Sequence, residues 1–298
     1  MTLDPFRPAT RRDLDPLLVR EEVRRFLRED VGSGDVTTAW TIPRDAVAKC
    51  HVVARQACVV AGLDLARAAF TELDARVTTR LAAADGEAVA PGRVLLLVAG
   101  PAGPILTAER VALNLLQRLS GIATVTRRYV DAVAGTGASV SDTRKTTPGF
   151  RVFEKYAVRM GGGRNHRAGL YDAVLIKDNH LAAAGGIRAA LEAAAAHRTA
   201  GTPIQVEVDD FDQLADALRF GVDAVLLDNM SPEGAAQAVA LIRASPEGRA
   251  CWVEASGGIT LANVRRYAES GVDTVSVGAI THSAPAADIA LDFDRQAL

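Results

Sequence analysis

Short apolar runs alternate with longer amphipathic segments through the second half of the chain, from Gly137 onward. Most of these runs begin about 20 to 35 residues apart, which is the spacing of repeated strand–helix units. About six strands are fewer than the eight of a complete barrel, so the pattern predicts an α/β fold with an incomplete parallel β/α barrel. The predicted strands are Ser139–Asp142, Ala173–Lys177, Ile204–Val208, Ala224–Asp228, Trp252–Ala255 and Thr274–Val277.

The first third of the chain has a different pattern, in which short β-like runs and turn signals surround a few helices. Periodic apolar residues predict helices over Asp15–Arg28 and Leu63–Leu73. This mixture predicts an N-terminal open-faced α+β sandwich, and the uncovered face of its sheet suits another domain or subunit. The predicted strands are Ala46–Ala54, Arg76–Leu81 and Val94–Val98.

Two further helices are predicted between these regions. One covers Thr107–Ser120 and ends at Gly121, because glycine commonly stands just past a helix C-terminus, and the other covers Thr124–Val133. We place the domain boundary here. Residues 1–115 form the sandwich domain, joined by the C-terminal segment 285–298, and residues 116–284 form the barrel domain.

Composition and charge exclude several classes of protein. The formal net charge of −2 at pH 7 argues against a nucleic-acid partner, which would need a basic surface. No apolar run is long enough to span a bilayer, and the N-terminal MTLDPFRPATRRDLDPLLV has acids and prolines where a signal peptide would be apolar. We therefore expect a soluble cytoplasmic protein with no membrane partner. Reduced core thiols are predicted at Cys50, Cys58 and Cys251, which lack a C-x-x-C spacing.

Cationic side chains concentrate between Ser141 and His180, although the chain is close to neutral overall. The turn Thr146–Gly149 and the glycines at 161–163 interrupt the charge, and flexible backbone beside Arg, Lys and hydroxyl groups is typical of a phosphate or carboxylate site. A solvated basic face is the alternative, which the apolar strand residues following the cluster make less favourable. The stretch therefore predicts a wall of an anion-binding site.

Polar residues close each predicted strand, and the carboxyl ends of barrel strands share one mouth. Any one of these residues could be a buried polar residue whose hydrogen bonds are made within the protein, but as a set they predict an active site. Glycine-rich loops at Ser256–Ile259 and Gly278–Thr281 follow the last two strands, where barrels commonly bind phosphate. The strand-end residues are Asp142 with Arg144 and Lys145, Lys177, Glu207, Asp228, Glu254 with Ser256, and Gly278.

A second anionic zone is predicted on the other side of the mouth, where Arg forks can bind carboxylates and Lys adds point charge. Glu207 and Asp228 lie between the two zones and could hold sugar hydroxyls or Mg²⁺, or stabilise positive charge developing on a sugar carbon. The arrangement indicates a transfer between two substrates. The cationic residues are Arg144, Lys145, His166, Arg167 and Lys177.

Several motifs together resemble the quinolinate phosphoribosyltransferase family. They are DTRKTTPG, EKYAVRMGGGRNHRAGLYDAVLIKDNH, VEVDD, LLDNM, EASGGI and SVGAITHSAP, with EDVGSGDVTT and AERVALNLLQRLSGIAT nearer the start. The resemblance implies that phosphoribosyl pyrophosphate and quinolinate react, with Mg²⁺, to give nicotinate mononucleotide, pyrophosphate and carbon dioxide in NAD biosynthesis. It also implies an open-faced sandwich joined to an incomplete barrel.

The resemblance carries residue roles with it. It implies catalytic roles for Lys145, Glu207 and Asp228 near the ribose and pyrophosphate, with the two carboxylates as ligands of a Mg²⁺ held mostly through pyrophosphate. Arg110 is implied to reach the active site of a partner subunit, giving a homodimer with shared sites or a higher oligomer built from such dimers. The implied substrate-binding residues are Arg110, Thr143, Arg144, His166, Arg167, Lys177, Ser256, Gly257, Gly278 and His282, of which Arg144, His166, Arg167 and Lys177 engage the quinolinate carboxylates.

Three other functions remain open at this point. A related phosphoribosyltransferase could use nicotinate or another aromatic acid without decarboxylation, but the number of cations favours a diacid. A non-catalytic binder of phosphorylated ligands is the alternative from another class, and Lys145, Glu207 and Asp228 argue against it. A barrel aldolase could form a Schiff base through Lys177, which here lies among carboxylate-binding cations.

Overall fold

The computed structural model describes residues 14–294. Residues 1–13, most of the segment behind the signal-peptide prediction, lie outside the described range, as do the last four residues of the predicted C-terminal segment. The described chain divides into two compact units. The sheet unit comprises residues 14–127, 152–162 and 283–294, and the barrel unit comprises residues 128–151 and 163–282.

The helices include one long helix and several short ones. A 3₁₀ turn covers Glu247–Ala250. Within residues 14–294, no helix combines the length and apolar character needed to cross a membrane. The helices are α1 (Pro16–Val31), α2 (Val36–Thr41), α3 (Leu63–Leu73), α4 (Ala102–Ala132), α5 (Arg151–Met160), α6 (Asp178–Ala184), α7 (Ile187–His197), α8 (Phe211–Arg219), α9 (Pro232–Ala244), α10 (Val264–Glu269) and α11 (Ala279–His282).

The strands form one antiparallel sheet, one parallel sheet and a two-stranded pair. The antiparallel order is β12-β1-β5-β3, the pair is β2-β4, and the parallel order is β6-β11-β10-β9-β8-β7. The strands are β1 (Val47–Ala54), β2 (Cys58–Val59), β3 (Thr78–Leu81), β4 (Ala88–Val89), β5 (Val94–Pro101), β6 (Ser139–Ser141), β7 (Val174–Ile176), β8 (Ile204–Val208), β9 (Ala224–Asp228), β10 (Trp252–Ser256), β11 (Thr274–Ser276) and β12 (Ile289–Phe293).

The sheet unit confirms the predicted open-faced sandwich. Along β1, Ala48, Cys50 and Val52 are buried while Val47 and Lys49 are exposed, because successive side chains of a strand point to opposite faces. Helix α3 covers the buried face through its contacts with β3 and β5, and α1 packs on α3. The C-terminal strand β12 pairs antiparallel with β1.

Gly121 corrects one prediction from the sequence. The chain does not end a helix there, because α4 runs without interruption from Ala102 to Ala132 and joins the two segments predicted as separate helices. A Cβ built on Gly121 would lie 2.0 Å from the backbone oxygen of Pro285. Glycine is therefore required for the close approach of another segment, and its usual role as a helix terminator is not used.

The barrel unit confirms the predicted incomplete barrel of about six parallel strands. All neighbouring pairs in its sheet are parallel, and β6 and β7 form the two ends of the strand order. The boundaries of β8 and β9 match the predictions at every residue, since β9 is a nearly continuous apolar run and β8 alternates Ile and Val with polar residues.

The basic stretch from Ser141 to His180 is divided between the two units, which corrects its prediction as a single wall. Helix α5 lies inside it, and residues 152–162 belong to the sheet unit. There Lys155 is buried, and the Arg159 guanidinium lies 5.6 Å from the centre of the Tyr156 ring. These two cations therefore belong to the sheet unit and not to the barrel unit.

The prediction of reduced core thiols is confirmed. The described cysteines are free and buried in both units. Burial raises the pKa of Cys50 and of Cys251 to about 12 each, so neither thiol ionises readily at neutral pH.

Candidate active site

The parallel register places polar side chains of the barrel strands on one face. Glu207 on β8 is in register with Leu226 on β9, which in turn is in register with Glu254 on β10. Side chains two positions apart share a face, so Gln205 and Asp228 point the same way as these residues. Hydrogen bonds across β8, β10 and β11 show that this face is the barrel interior.

Lys177 and Glu207 form an ion pair where β7 and β8 run side by side. The Nζ of Lys177 donates a hydrogen bond to Oε2 of Glu207. The Lys177 side chain is 43% exposed and that of Glu207 is 7% exposed, so the cation remains accessible to a ligand while the carboxylate is largely covered. The pair joins the predicted acid-binding and sugar-binding parts of the mouth.

Asp228 lies at the end of β9, and the charges of Lys177 and Glu207 both act on its pKa. Burial, followed by repulsion from Glu207, raises the pKa of Asp228, while Lys177 and Lys145 act in the opposite direction. The Asn229 side-chain amide donates to Oδ2 of Asp228 at 2.6 Å. The structure thus brings the predicted catalytic residues together in one electrostatic cluster.

Lys145 reaches this cluster from the loop after β6. Its backbone N–H donates to Oγ1 of Thr143 at 3.0 Å, and its carbonyl accepts from the Thr281 hydroxyl at 2.8 Å. A Cβ built on Gly278 would lie 3.0 Å from Cδ of Lys145 and 3.3 Å from the ring of His282. Gly278 therefore allows a Lys and a His to converge on the loop after β11, as the phosphate-site prediction requires.

The loop after β10 depends on a second glycine. Gly257 has a φ of 93°, and a Cβ there would lie 2.1 Å from Oδ1 of Asn229. Asn229 itself has a φ of 54°, in the left-handed region, and its N–H donates to the carbonyl of Ser256 at 2.9 Å. These contacts fix the Ser256–Gly257 backbone beside Asp228.

Two guanidinium groups form the other side of the mouth. Arg167 is buried and donates from Nη1 to the carbonyl of Ala173 at 3.1 Å. Burial, followed by repulsion from Arg144, lowers the pKa of Arg167, so the two cations lie close together. The buried Nε of Arg144 has no hydrogen-bond partner among the described residues. Paired cations with unused donor capacity suit a carboxylate ligand.

His166 takes a position that the sequence did not reveal. Its backbone N–H donates to the buried Asp142 at 2.8 Å, and its Nδ1 accepts from the N–H of Arg167 at 2.7 Å. Its Nε2 lies 3.2 Å from Oε1 of Gln205 and 3.3 Å from Oε2 of Glu254. Both ring nitrogens are engaged by protein groups, and the substrate contact that the resemblance implies for His166 stays a prediction.

Among the predicted site residues, Arg110 belongs to a different unit from the others. It is an exposed residue of α4 in the sheet unit, whereas the rest of the predicted set belongs to the barrel unit. Sequence reasoning did not single out Gln205, Ser276 or Asn229. Gln205 could have been found, because a polar residue two positions before Glu207 in an otherwise apolar strand shares its face.

The predicted Mg²⁺ site has few protein oxygen ligands. No cluster of three or more His, Cys, Asp or Glu side chains that could hold an ion occurs in the described part of the chain. Glu207 and Asp228 remain as two nearby carboxylates, and the repulsion between them would favour a cation. Two carboxylates fit a Mg²⁺ ion that is held mainly by substrate phosphates.

The fold and the site define a class of protein: a β/α-barrel enzyme whose mouth combines a cationic site for an acid, paired carboxylates and glycine loops suited to phosphate. Two family models match the chain, the quinolinate phosphoribosyl transferase N-terminal domain over residues 35–120 and the C-terminal domain over residues 122–292. The chain therefore belongs to the quinolinate phosphoribosyl transferase family.

Similar proteins cover nearly the whole chain. The nicotinate-nucleotide pyrophosphorylase [carboxylating] of Mycobacterium leprae is 45% identical over 92% of this chain and 96% of its own length. A probable enzyme of the same name from Bacillus subtilis is 39% identical over 94% of each chain. The solved nicotinate-nucleotide pyrophosphorylase of Francisella tularensis is 36% identical, with a TM-score of 0.86 over 95% of this chain and 98% of its own.

Proposed function

We propose that this chain transfers the phosphoribosyl group of phosphoribosyl pyrophosphate to quinolinate and removes one carboxylate, giving nicotinate mononucleotide, pyrophosphate and carbon dioxide in NAD biosynthesis. The proposal makes the chain a pentosyltransferase, in keeping with its family. The observation that carries it is the meeting, in one barrel mouth, of the buried Arg167 and the half-buried Arg144 with the Lys177–Glu207 pair and Asp228.

Quinolinate is the acid that the cations favour. Arg144 and Arg167 offer forked donors, and Lys177 adds a partly exposed ammonium group. Three cations around one mouth neutralise two carboxylates better than one, which supports a diacid over nicotinate. A carboxylate that binds Lys177 competes with Glu207 for the same ammonium group, so acid binding and the sugar-binding carboxylate are coupled.

The phosphoribosyl group is assigned to the other half of the mouth. The Gly278 loop approaches Lys145 and His282, and Gly257 approaches Asn229 beside Asp228; glycine loops in these places support binding of the phosphate groups. Glu207 and Asp228 stabilise positive charge at the anomeric carbon as pyrophosphate departs. The same two carboxylates would hold Mg²⁺, which when bound supplies positive charge that offsets the charge of the leaving group.

The chemistry of the ring then requires little from the protein. The pyridine nitrogen attacks the anomeric carbon and becomes a cationic pyridinium. The electrons left when the adjacent carboxylate departs as carbon dioxide are stabilised by that positive charge, and a proton takes the vacated position. Arg144 and Arg167 need only hold the diacid in a reactive orientation, so no organic cofactor is invoked.

We further propose that two copies share their active sites, with Arg110 of one copy completing the mouth of the other, and that the enzyme acts in the cytoplasm. The exposure of Arg110 on α4 and the open face of the N-terminal sheet support the assembly.

The decisive experiment supplies the purified chain with Mg²⁺, phosphoribosyl pyrophosphate and carboxyl-labelled quinolinate. We expect labelled carbon dioxide and pyrophosphate in equal amounts, and neither product when the acid is omitted or the metal is chelated. Nicotinate in place of quinolinate should give little pyrophosphate. Turnover of nicotinate would favour the non-decarboxylating alternative, and tight quinolinate binding without products would favour a non-catalytic binder.

A Schiff-base aldolase is disfavoured by the contact of Lys177. Its amine is engaged by the Glu207 carboxylate, whereas a Schiff-base lysine must present a free amine to a carbonyl carbon. Borohydride treatment with a carbonyl substrate should therefore leave Lys177 unmodified, as mass spectrometry of the digested protein would show.

A further inference from the structure

A buried polar network lies inside the barrel, beneath the mouth. Glu254 is 1% exposed, and its Oε1 accepts a hydrogen bond from the Ser276 hydroxyl. Its Oε2 accepts from Nε2 of Gln205 at 2.7 Å and lies 3.3 Å from Nε2 of His166. Three different strands and a loop thus converge on one carboxylate.

The hydrogen bonds around His166 specify one tautomer. Nδ1 accepts from the backbone N–H of Arg167, so it carries no proton, and the proton of the neutral ring must be on Nε2. That Nε2–H faces two acceptors, Oε1 of Gln205 and Oε2 of Glu254. The Gln205 amide donates to Glu254, which turns its carbonyl oxygen toward His166. The carboxylate therefore determines which atoms donate in the hydrogen bonds that link Glu254, Gln205 and His166.

The carboxylate is held in its ionised form. Burial would raise the pKa of Glu254, but the hydrogen bonds that it accepts from His166, Ser276 and Gln205 favour the ionised form and lower that pKa. An ionised carboxylate can only accept hydrogen bonds, which excludes the opposite orientation of the Gln205 amide. Glu254 also lies close enough to Arg167 to act on its charge.

We propose that Glu254 is a positioning residue for the acid-binding half of the site: it fixes His166 as the Nε2–H tautomer, and Nδ1 of His166 in turn fixes the backbone amide of Arg167. This inference rests on the proposed function, because it assigns Arg167 to quinolinate. His166 then serves the acid through Arg167. Partners of this kind orient a binding group although they do not touch the substrate.

The test combines a kinetic measurement with a direct view of the ring. In Glu254→Met the acceptor is lost, and we expect KM for quinolinate to rise about tenfold or more while KM for phosphoribosyl pyrophosphate changes less than about twofold. Glu254→Gln keeps a carbonyl toward His166 and an amide toward the rotatable Ser276 hydroxyl, so it should restore quinolinate KM to within about threefold of the wild type. Glu233→Met, at an exposed site on α9, is the matched control and should behave as the wild type.

Nitrogen-15 spectra of the histidine rings provide the second readout. In the wild type and in Glu254→Gln, His166 should show a protonated Nε2 and an unprotonated Nδ1, and in Glu254→Met a mixture of forms. A wild-type His166 that is protonated at Nδ1 overturns the proposal without any variant. Equal losses for both substrates in folded Glu254→Met overturn it as well, because they indicate general damage to the barrel.

The two proposals fail in different ways. Absence of quinolinate turnover by the wild-type protein would reject the proposed function. The tautomer of His166 and its dependence on Glu254 can be measured in the same sample without substrate, so that result stands on its own.

Discussion

Nζ of Lys177 donates to Oε2 of Glu207, linking the cation at the end of β7 to the carboxylate on β8. The contact places the residue assigned to the acid in direct competition with the residue assigned to the sugar. Binding of a substrate carboxylate by Lys177 would release Glu207 to face the ribose, so the two half-sites are coupled through this pair.

Glu207→Gln should separate the two roles of the pair. Loss of the negative charge removes stabilisation of the anomeric carbon, and we expect kcat to fall about a hundredfold. KM for quinolinate should stay constant or decrease, because Lys177 no longer pairs with a carboxylate of the protein. Steady-state kinetics with each substrate varied would measure both values. Glu233→Gln changes an exposed carboxylate in the same way and should leave both values unaltered.

Asp228→Asn should stabilise the protein in a pH-dependent manner. Burial and Glu207 raise the pKa of Asp228, so its folded form binds a proton more readily than its unfolded form. Ionisation therefore costs stability, and the cost grows as the pH rises from the ordinary value of 3.8 through the folded pKa. The variant should have the higher free energy of unfolding near neutral pH, and the difference should vanish in acid.

Urea unfolding of the wild type and of Asp228→Asn between acid and neutral pH would give the sign of the difference in the free energy of unfolding. Asp212→Asn, an exposed position of α8, is the control and should give no such trend. A difference that increases toward acid would contradict the assigned direction of the Asp228 shift.

Gly257→Ala should damage the loop after β10. The new Cβ would lie 2.1 Å from Oδ1 and 2.8 Å from the backbone N of Asn229, at a φ of 93°. Strain of about 1–3 kcal/mol would displace the loop, and KM for phosphoribosyl pyrophosphate should rise about tenfold. Gly258→Ala is the matched control. Its φ of 61° adds some strain, but no atom lies within 4 Å of its Cβ, so that KM should change little.

Gly121→Ala should destabilise the sheet unit, although alanine in a helix interior ordinarily gains about 1 kcal/mol over glycine. The reversal follows from the Pro285 carbonyl, which lies 2.0 Å from the position of the new Cβ. We expect a loss of about 2 kcal/mol or more in the free energy of unfolding. Gly234→Ala in α9, whose nearest neighbour is 3.6 Å away, should be neutral or stabilising. A stabilised Gly121→Ala would show that the close contact is absent.

Arg110 provides the test of the shared site. Equimolar mixtures of Arg110→Ala and Lys145→Ala proteins should recover activity, because each mixed dimer would contain one intact mouth. If subunits exchange at random, the mixture should reach about a quarter of the wild-type activity. Each variant alone should be nearly inactive. Subunit exchange is followed with distinguishable tags. Verified exchange without recovery would exclude a shared site.

Much of the fold followed from local patterns. The strands Ile204–Val208 and Ala224–Asp228 were predicted at their observed bounds, because the first alternates β-branched with polar residues and the second is an almost continuous apolar run. Helix Leu63–Leu73 was equally clear from its periodicity. Helix α5 was not predicted, although Phe153, Tyr156 and Met160 have helical spacing, because the charged residues between them are also typical of a ligand site.

The sequence by itself determined which residues close the strands, since that depends only on where apolar runs end. The tertiary structure decided what those residues contact. Only close approach of Pro285 explains Gly121, and only the neighbouring positions of β8 and β10 bring Gln205 and Glu254 to Nε2 of His166 within the barrel. These contacts join positions far apart in the chain, where hydrogen bonding and excluded volume depend on packing that no local pattern records.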